Sequence, residues 1–74
     1  MIDESFGETL KKLRIRKGIS QEEFSFNIGL HRTYISQLER GLKSPSLRTI
    51  EKICKEMGFT ISQFMEEVEK NNDT

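Results

Sequence analysis

Seventy-four residues make one small domain, 1–74, whose folding buries only about 60% of the unfolded chain's surface. Cys54 is the single cysteine and His31 the single histidine, which leaves no disulfide, no Cys/His metal set and no nucleophile–base pair. The chain is therefore expected to be a non-enzyme without cofactor or metal, and Cys54 a buried structural thiol.

No apolar run approaches the roughly 20 residues needed to cross a bilayer. The opening MIDESFGETL has neither a basic nor an apolar signal-peptide region. A soluble cytoplasmic protein with no membrane partner is expected. The formal net charge is zero, but the charges are unevenly spread. Residues 11–48 hold nine Lys/Arg against three Glu, residues 1–10 three acids and no base, and residues 49–74 six acids against three bases. A basic middle between acidic ends points to a polyanion-binding face.

Helical periodicity covers nearly the whole chain, and the expected class is all-α with five helices. Phe6, Leu10 and Leu13 mark helix 1 over about 5–17, with Ser5 as N-cap at capping-box spacing from Glu8 and Gly18 after the last turn. Ile15 falls off this stripe and is expected half exposed. Helix 2 spans about 20–27, with Ser20 and Glu23 as a second capping box and Phe24 and Ile28 inward. Gly29 can take a positive φ and reverse the chain, and Leu30 returns to the core.

Helix 3 spans about 31–40. At about 100° per residue, Arg32, Thr33, Ser36, Gln37 and Arg40 share an arc roughly 140° wide, with Ile35 and Leu38 opposite and Tyr34 and Glu39 on the borders. After the loop GLKSPS, helix 4 covers about 46–57, with Ser46 as N-cap and Leu47, Ile50, Ile53, Cys54 and Met57 as its buried stripe. Thr60 and Gln63 cap helix 5, about 60–69, and the tail 70–74 is expected to fray.

The words LRIRKGISQEEF, IGLHRTYISQLERG and SPSLRTIEKICKEMGF resemble the Cro/C1-type (phage-repressor-like, XRE) helix-turn-helix regulators over about residues 6–58. The RTYIS run and the short length also resemble the controller proteins of restriction–modification systems. The resemblance implies a five-helix, lambda-repressor-like fold with helix 3 in the major groove of double-stranded DNA and helix 2 across the phosphate backbone. It further implies a homodimer on a two-fold symmetric operator and autoregulation by blocking RNA polymerase or, from an upstream site, recruiting it. The alternative on the same fold is an antitoxin or antirepressor that binds another protein.

In this frame Arg32 can contact guanine bidentately, Thr33 a thymine methyl and Gln37 an adenine edge, with Ser36 a lesser base contact. Gln21 and the first amides of helix 2 match a phosphate-holding position, as a helix N-terminus allows. Arg40, Lys43 and Tyr34 are further phosphate candidates, and Tyr34 can instead pack against helix 2. Arg14 and Glu39 match positions that the family uses for a buried ion pair. Two departures from its pattern are His31, where Ser or Thr usually caps helix 3, and Ser25, where Ala is usual. Phe59, Ile61, Phe64, Met65 and Val68 exceed what a short last helix needs for its own packing, and part of this set is expected at the dimer interface.

Overall fold

The computed structural model describes residues 1–72. Five helices follow one another: α1 Ile2–Arg16, α2 Gln21–Ile28, α3 Arg32–Glu39, α4 Leu47–Met57 and α5 Ile61–Asn72. The five-helix, all-α architecture expected from periodicity is what the chain forms. One apolar core draws on every helix: Phe6, Leu10 and Leu13 from α1, Phe24 from α2, Ile35 and Leu38 from α3, Ile53, Cys54 and Met57 from α4, Phe64 and Val68 from α5. Ile19, Ile28, Leu30, Tyr34, Ile50, Phe59 and Met65 pack around it.

The helix ends follow from local chemistry. Ser20 Oγ accepts from the Glu23 amide at 3.0 Å and Ser46 Oγ from the Thr49 amide at 3.1 Å. At α5 the capping box closes in both directions, Thr60 Oγ1 accepting from the Gln63 amide at 3.1 Å while Gln63 Oε1 accepts from the Thr60 amide at 2.9 Å. Each such cap is worth about 1 kcal/mol. Gly29 adopts φ 70°, and the Leu30 amide then reaches back to the Ser25 carbonyl at 2.9 Å. That bond closes α2 and turns the chain into α3 within three residues.

Four expectations are corrected. Helix 1 starts at Ile2, not Ser5, because Asp3 and Glu4 already suit the positive end of a helix in its first turn. Ser5 is buried one turn inside, its Oγ 3.2 Å from the Met1 carbonyl and 3.0 Å from Asn72 Oδ1. Helix 5 does not fray at Lys70 but runs to Asn72, since Asn71 Nδ2 donates to Thr9 Oγ1 at 2.6 Å and Asn72 meets Ser5. The last two residues of the expected tail, 73–74, lie outside the described residues. Leu47 does not join the stripe of helix 4: helical phase puts it within about 20° of the buried Cys54, but as the first residue of the helix it is 80% exposed.

The fourth correction concerns the apolar surplus of the C-terminal third. Phe64 and Val68 are fully buried in the chain's own core and are not available to a partner copy. Phe64 lies between two rings, tilted against Phe6 with centroids 5.2 Å apart and edge-on to Phe59 at 6.3 Å. Burying an aromatic among aromatics stabilises through area and ring geometry together. Those contacts consume most of what looked like excess.

Candidate nucleic-acid interface

The site is built on how tightly α3 lies against α1. Gly7 makes this possible, because a Cβ there would stand 2.2 Å from the Leu38 carbonyl oxygen and 2.7 Å from that of Glu39. No residue with a side chain fits that approach without moving a backbone. The two helices are then tied by charge. Arg14 Nε donates to Glu39 Oε2 at 2.6 Å and Arg14 Nη2 to Glu39 Oε1 at 3.0 Å, while Nη1 donates to the Ile19 carbonyl at 2.7 Å.

Both side chains are nearly excluded from water, 9% and 2% exposed. An ion pair in that setting persists only if its remaining polar capacity is met. Gln21 meets it, donating Nε2 to Glu39 Oε1 at 2.9 Å. Among the described residues no buried side-chain nitrogen or oxygen lacks a partner. One carboxylate, on the last residue of α3, thus joins α1, α2 and α3.

That bond modifies the expectation for Gln21. Its amide is held against Glu39, so an anion at the start of α2 meets chiefly the backbone amides of Gln21 and Glu22, which carry no bond among the described residues, the Glu23 amide being capped by Ser20. Two free amides at a helix N-terminus are an anion-binding arrangement. Glu22 and Glu23 stand in the same turn and oppose an anion there, so the contact rests on the amides rather than on local net charge.

With the frame fixed, α3 turns its arc outward. Arg32, Thr33 and Arg40 are exposed, Ser36 and Gln37 half-buried, and Ile35 and Leu38 fully buried on the opposite side. Among the described residues the side chains of Arg32, Thr33 and Gln37 make no hydrogen bond or ion pair, whereas Arg40 Nε donates weakly to the Ser36 carbonyl at 3.4 Å. Tyr34 is half-buried and packs against the core. Lys43 is exposed in the loop between α3 and α4. His31 stands at the N-cap of α3 without any side-chain cap bond, as its replacement of a hydroxyl residue implies. Ser25 is buried and satisfies its hydroxyl on the Glu22 carbonyl at 2.8 Å, so the extra oxygen costs the α2–α3 contact little.

Away from the arc, Ile61 is 44% exposed and Met65 partly so, while Phe59 is half-buried against Phe64. Leu47, expected on the buried stripe of helix 4, joins the exposed apolar residues. Its position directly after an N-cap, on the first turn of the helix, is the available signal. Among the described residues no group of three or more His, Cys, Asp or Glu is placed to hold a metal, and no helix is long and apolar enough to cross a membrane.

Comparison with known proteins agrees with this geometry. Residues 10–64 match the family described as helix-turn-helix. The control protein C.MunI of a Mycoplasma species is 46% identical over 66 residues, covering 88% of this chain and 89% of that protein. The control protein C.BamHI of Bacillus amyloliquefaciens is 48% identical over 54 residues, 72% of this chain and 67% of that protein. Among solved structures, the restriction–modification controller protein C.Esp1396I, a tetramer in complex with its natural 35 base-pair operator, superposes with a TM-score of 0.86 at 30% identity, covering 96% of this chain and 93% of that one. Motif, fold and relatives converge: the chain belongs to the helix-turn-helix family of Cro/C1-type regulators.

Proposed function

We propose that this protein is a DNA-binding transcriptional regulator of the restriction–modification controller type, acting as one helix-turn-helix domain over residues 1–74 without catalytic activity. The observation that carries this is the uncommitted arc of α3: three hydrogen-bonding side chains, Arg32, Thr33 and Gln37, have no partner among the described residues, on a helix whose angle a buried ion pair fixes. Such a face has no structural use and suits base edges in the major groove. Control-protein relatives and the operator complex of C.Esp1396I support the same function.

In this function Arg32, Thr33, Gln37 and Ser36 read bases. The α2 amides with Gln21, together with Arg40, Lys43 and the Tyr34 hydroxyl, position the helix on phosphates. Phosphate contacts give affinity and register, and base contacts give selection. Two copies pair through exposed apolar residues of α4 and α5, and here the corrected set is Ile61, Met65 and Leu47, with Phe59 at the edge. Pairing sets two α3 helices about one DNA turn, 34 Å, apart on a symmetric operator. The protein then works in the cytoplasm, governing its own promoter by occlusion or by contact with RNA polymerase. The antitoxin-type alternative has one observation in its favour, Phe26, 82% exposed on the outer side of α2.

Selection of duplexes from a randomised library by the unaltered protein tests the function. Enrichment of an inverted repeat is expected. Arg32→Ala should then flatten preference at one base pair per half-site, worth about 1–3 kcal/mol, whereas Lys43→Ala should weaken all duplexes alike and shallow the salt dependence. A chain that enriches no sequence, while a protein from the same cell co-purifies with it through Phe26, supports the alternative instead.

A further inference from the structure

The loop that carries Lys43 is not left to solvent. Gly41 sits at φ 74° directly against the first turn of α1, where a Cβ would stand 2.9 Å from Glu4 Cα. Three residues on, Ser44 Oγ donates to Asp3 Oδ1 at 2.7 Å. The Gly41 amide bonds the Leu38 carbonyl at 3.1 Å and the Leu42 amide that of Gln37 at 2.9 Å, which fastens the loop's start to α3. Residues 41–44 are therefore held at both ends, by the exit of α3 and by the first turn of α1. Lys43 lies between the two attachments.

Asp3 calls for a reason beyond local helix chemistry. A carboxylate in the first turn suits the helix dipole wherever its side chain lies. Here it is partly buried and spends an oxygen on a residue 41 positions away.

We infer that Asp3 and Ser44 form a latch that makes Asp3 a positioning residue for the Lys43 phosphate contact, so that the first turn of α1 belongs functionally to the DNA interface without touching DNA. The latch rests on the DNA-binding function proposed above. It limits the conformations of Lys43 and of the loop amides before DNA arrives, and pre-ordering of this kind raises affinity by reducing what binding must immobilise.

The test measures Kd and phosphate ethylation interference on a duplex enriched by the unaltered protein and on a scrambled duplex. Ser44→Ala, which leaves net charge unchanged, should weaken binding to both duplexes by about fivefold, the scale of one exposed hydrogen bond. It should also remove interference at one phosphate per half-site. Asp3→Asn retains an acceptor oxygen and should keep that phosphate signal, whereas Asp3→Leu should lose it. In a Lys43→Ala background Ser44→Ala should add nothing. Full additivity of the two changes, or an unaltered interference pattern in Ser44→Ala, overturns the latch while leaving DNA binding intact. Failure of the unaltered protein to enrich any duplex overturns DNA binding and the latch with it.

Discussion

The two halves of the molecule are held by different physics. The α1–α3 half is fixed by directional contacts: a Gly7 site too close for any side chain, a two-bond Arg14–Glu39 pair and a Gln21 amide completing it. The α4–α5 half is seated chiefly by apolar packing, with Phe64 between Phe6 and Phe59 and Val68, Ile53, Cys54 and Met57 filling the remainder, and hydrogen bonds to α1 enter only at its far end, through Asn71 and Asn72. Apolar contact is non-directional and tolerates small shifts. A buried ion pair does not, because displacement of either partner leaves a desolvated charge. The helix that must meet a groove at one angle lies in the half where angle is specified.

The largest effect is expected where that specification is removed. Glu39→Ala leaves Arg14 buried and unpaired and should cost about 3–5 kcal/mol in a urea titration. Replacing both partners with apolar residues, Arg14→Met with Glu39→Leu, should recover most of that loss while affinity for the selected duplex stays reduced. A double variant that recovers both would erase the distinction between the halves. Next, Gly7→Ala should cost about 1–3 kcal/mol, since the backbones must part, and should reduce base selectivity in the folded fraction.

On the apolar side, Met57→Leu conserves volume and should cost about 1 kcal/mol or less, with duplex affinity unchanged. Ile61→Asp should alter monomer stability by no more than about 0.5 kcal/mol, because the residue is already partly exposed, yet shift the sedimentation profile toward monomer. A dimer that survives this change and Leu47→Asp would move the interface elsewhere. The smallest effect concerns alkaline pH. Burial pushes the Cys54 thiol above its usual range. The unfolded chain therefore ionises first, so stability is full below about pH 8.5 and declines above it. Cys54→Ala should abolish that decline in pH-dependent urea titrations.

Much of this arrangement was legible in the residues, because it is local. Ser20, Ser46 and Thr60 act as caps where hydroxyl spacing placed them, and Gly29 turns the chain between α2 and α3. The outward arc of α3 follows from helical phase alone. What escaped depends on partners distant in sequence. Ser5 has the spacing of a cap, but its neighbour Asn72 is 67 residues away. The polar run at Lys70–Asn72 reads as a tail until Thr9 is seen to receive Asn71. Phe64 reads as surplus until Phe6 and Phe59 enclose it. The tie from Gln21 to Glu39 was likewise invisible, since either residue alone looks like an ordinary helix terminus.

Glu39 gathers the contacts of Arg14 and Gln21 at the inner edge of α3, and among the described residues the outward side chains at 32, 33 and 37 make no hydrogen bond or ion pair. They form an exchangeable cassette. Under the proposed function, new base preferences would be installed by swapping those side chains as a set, on an unaltered chassis, without repacking a single core residue.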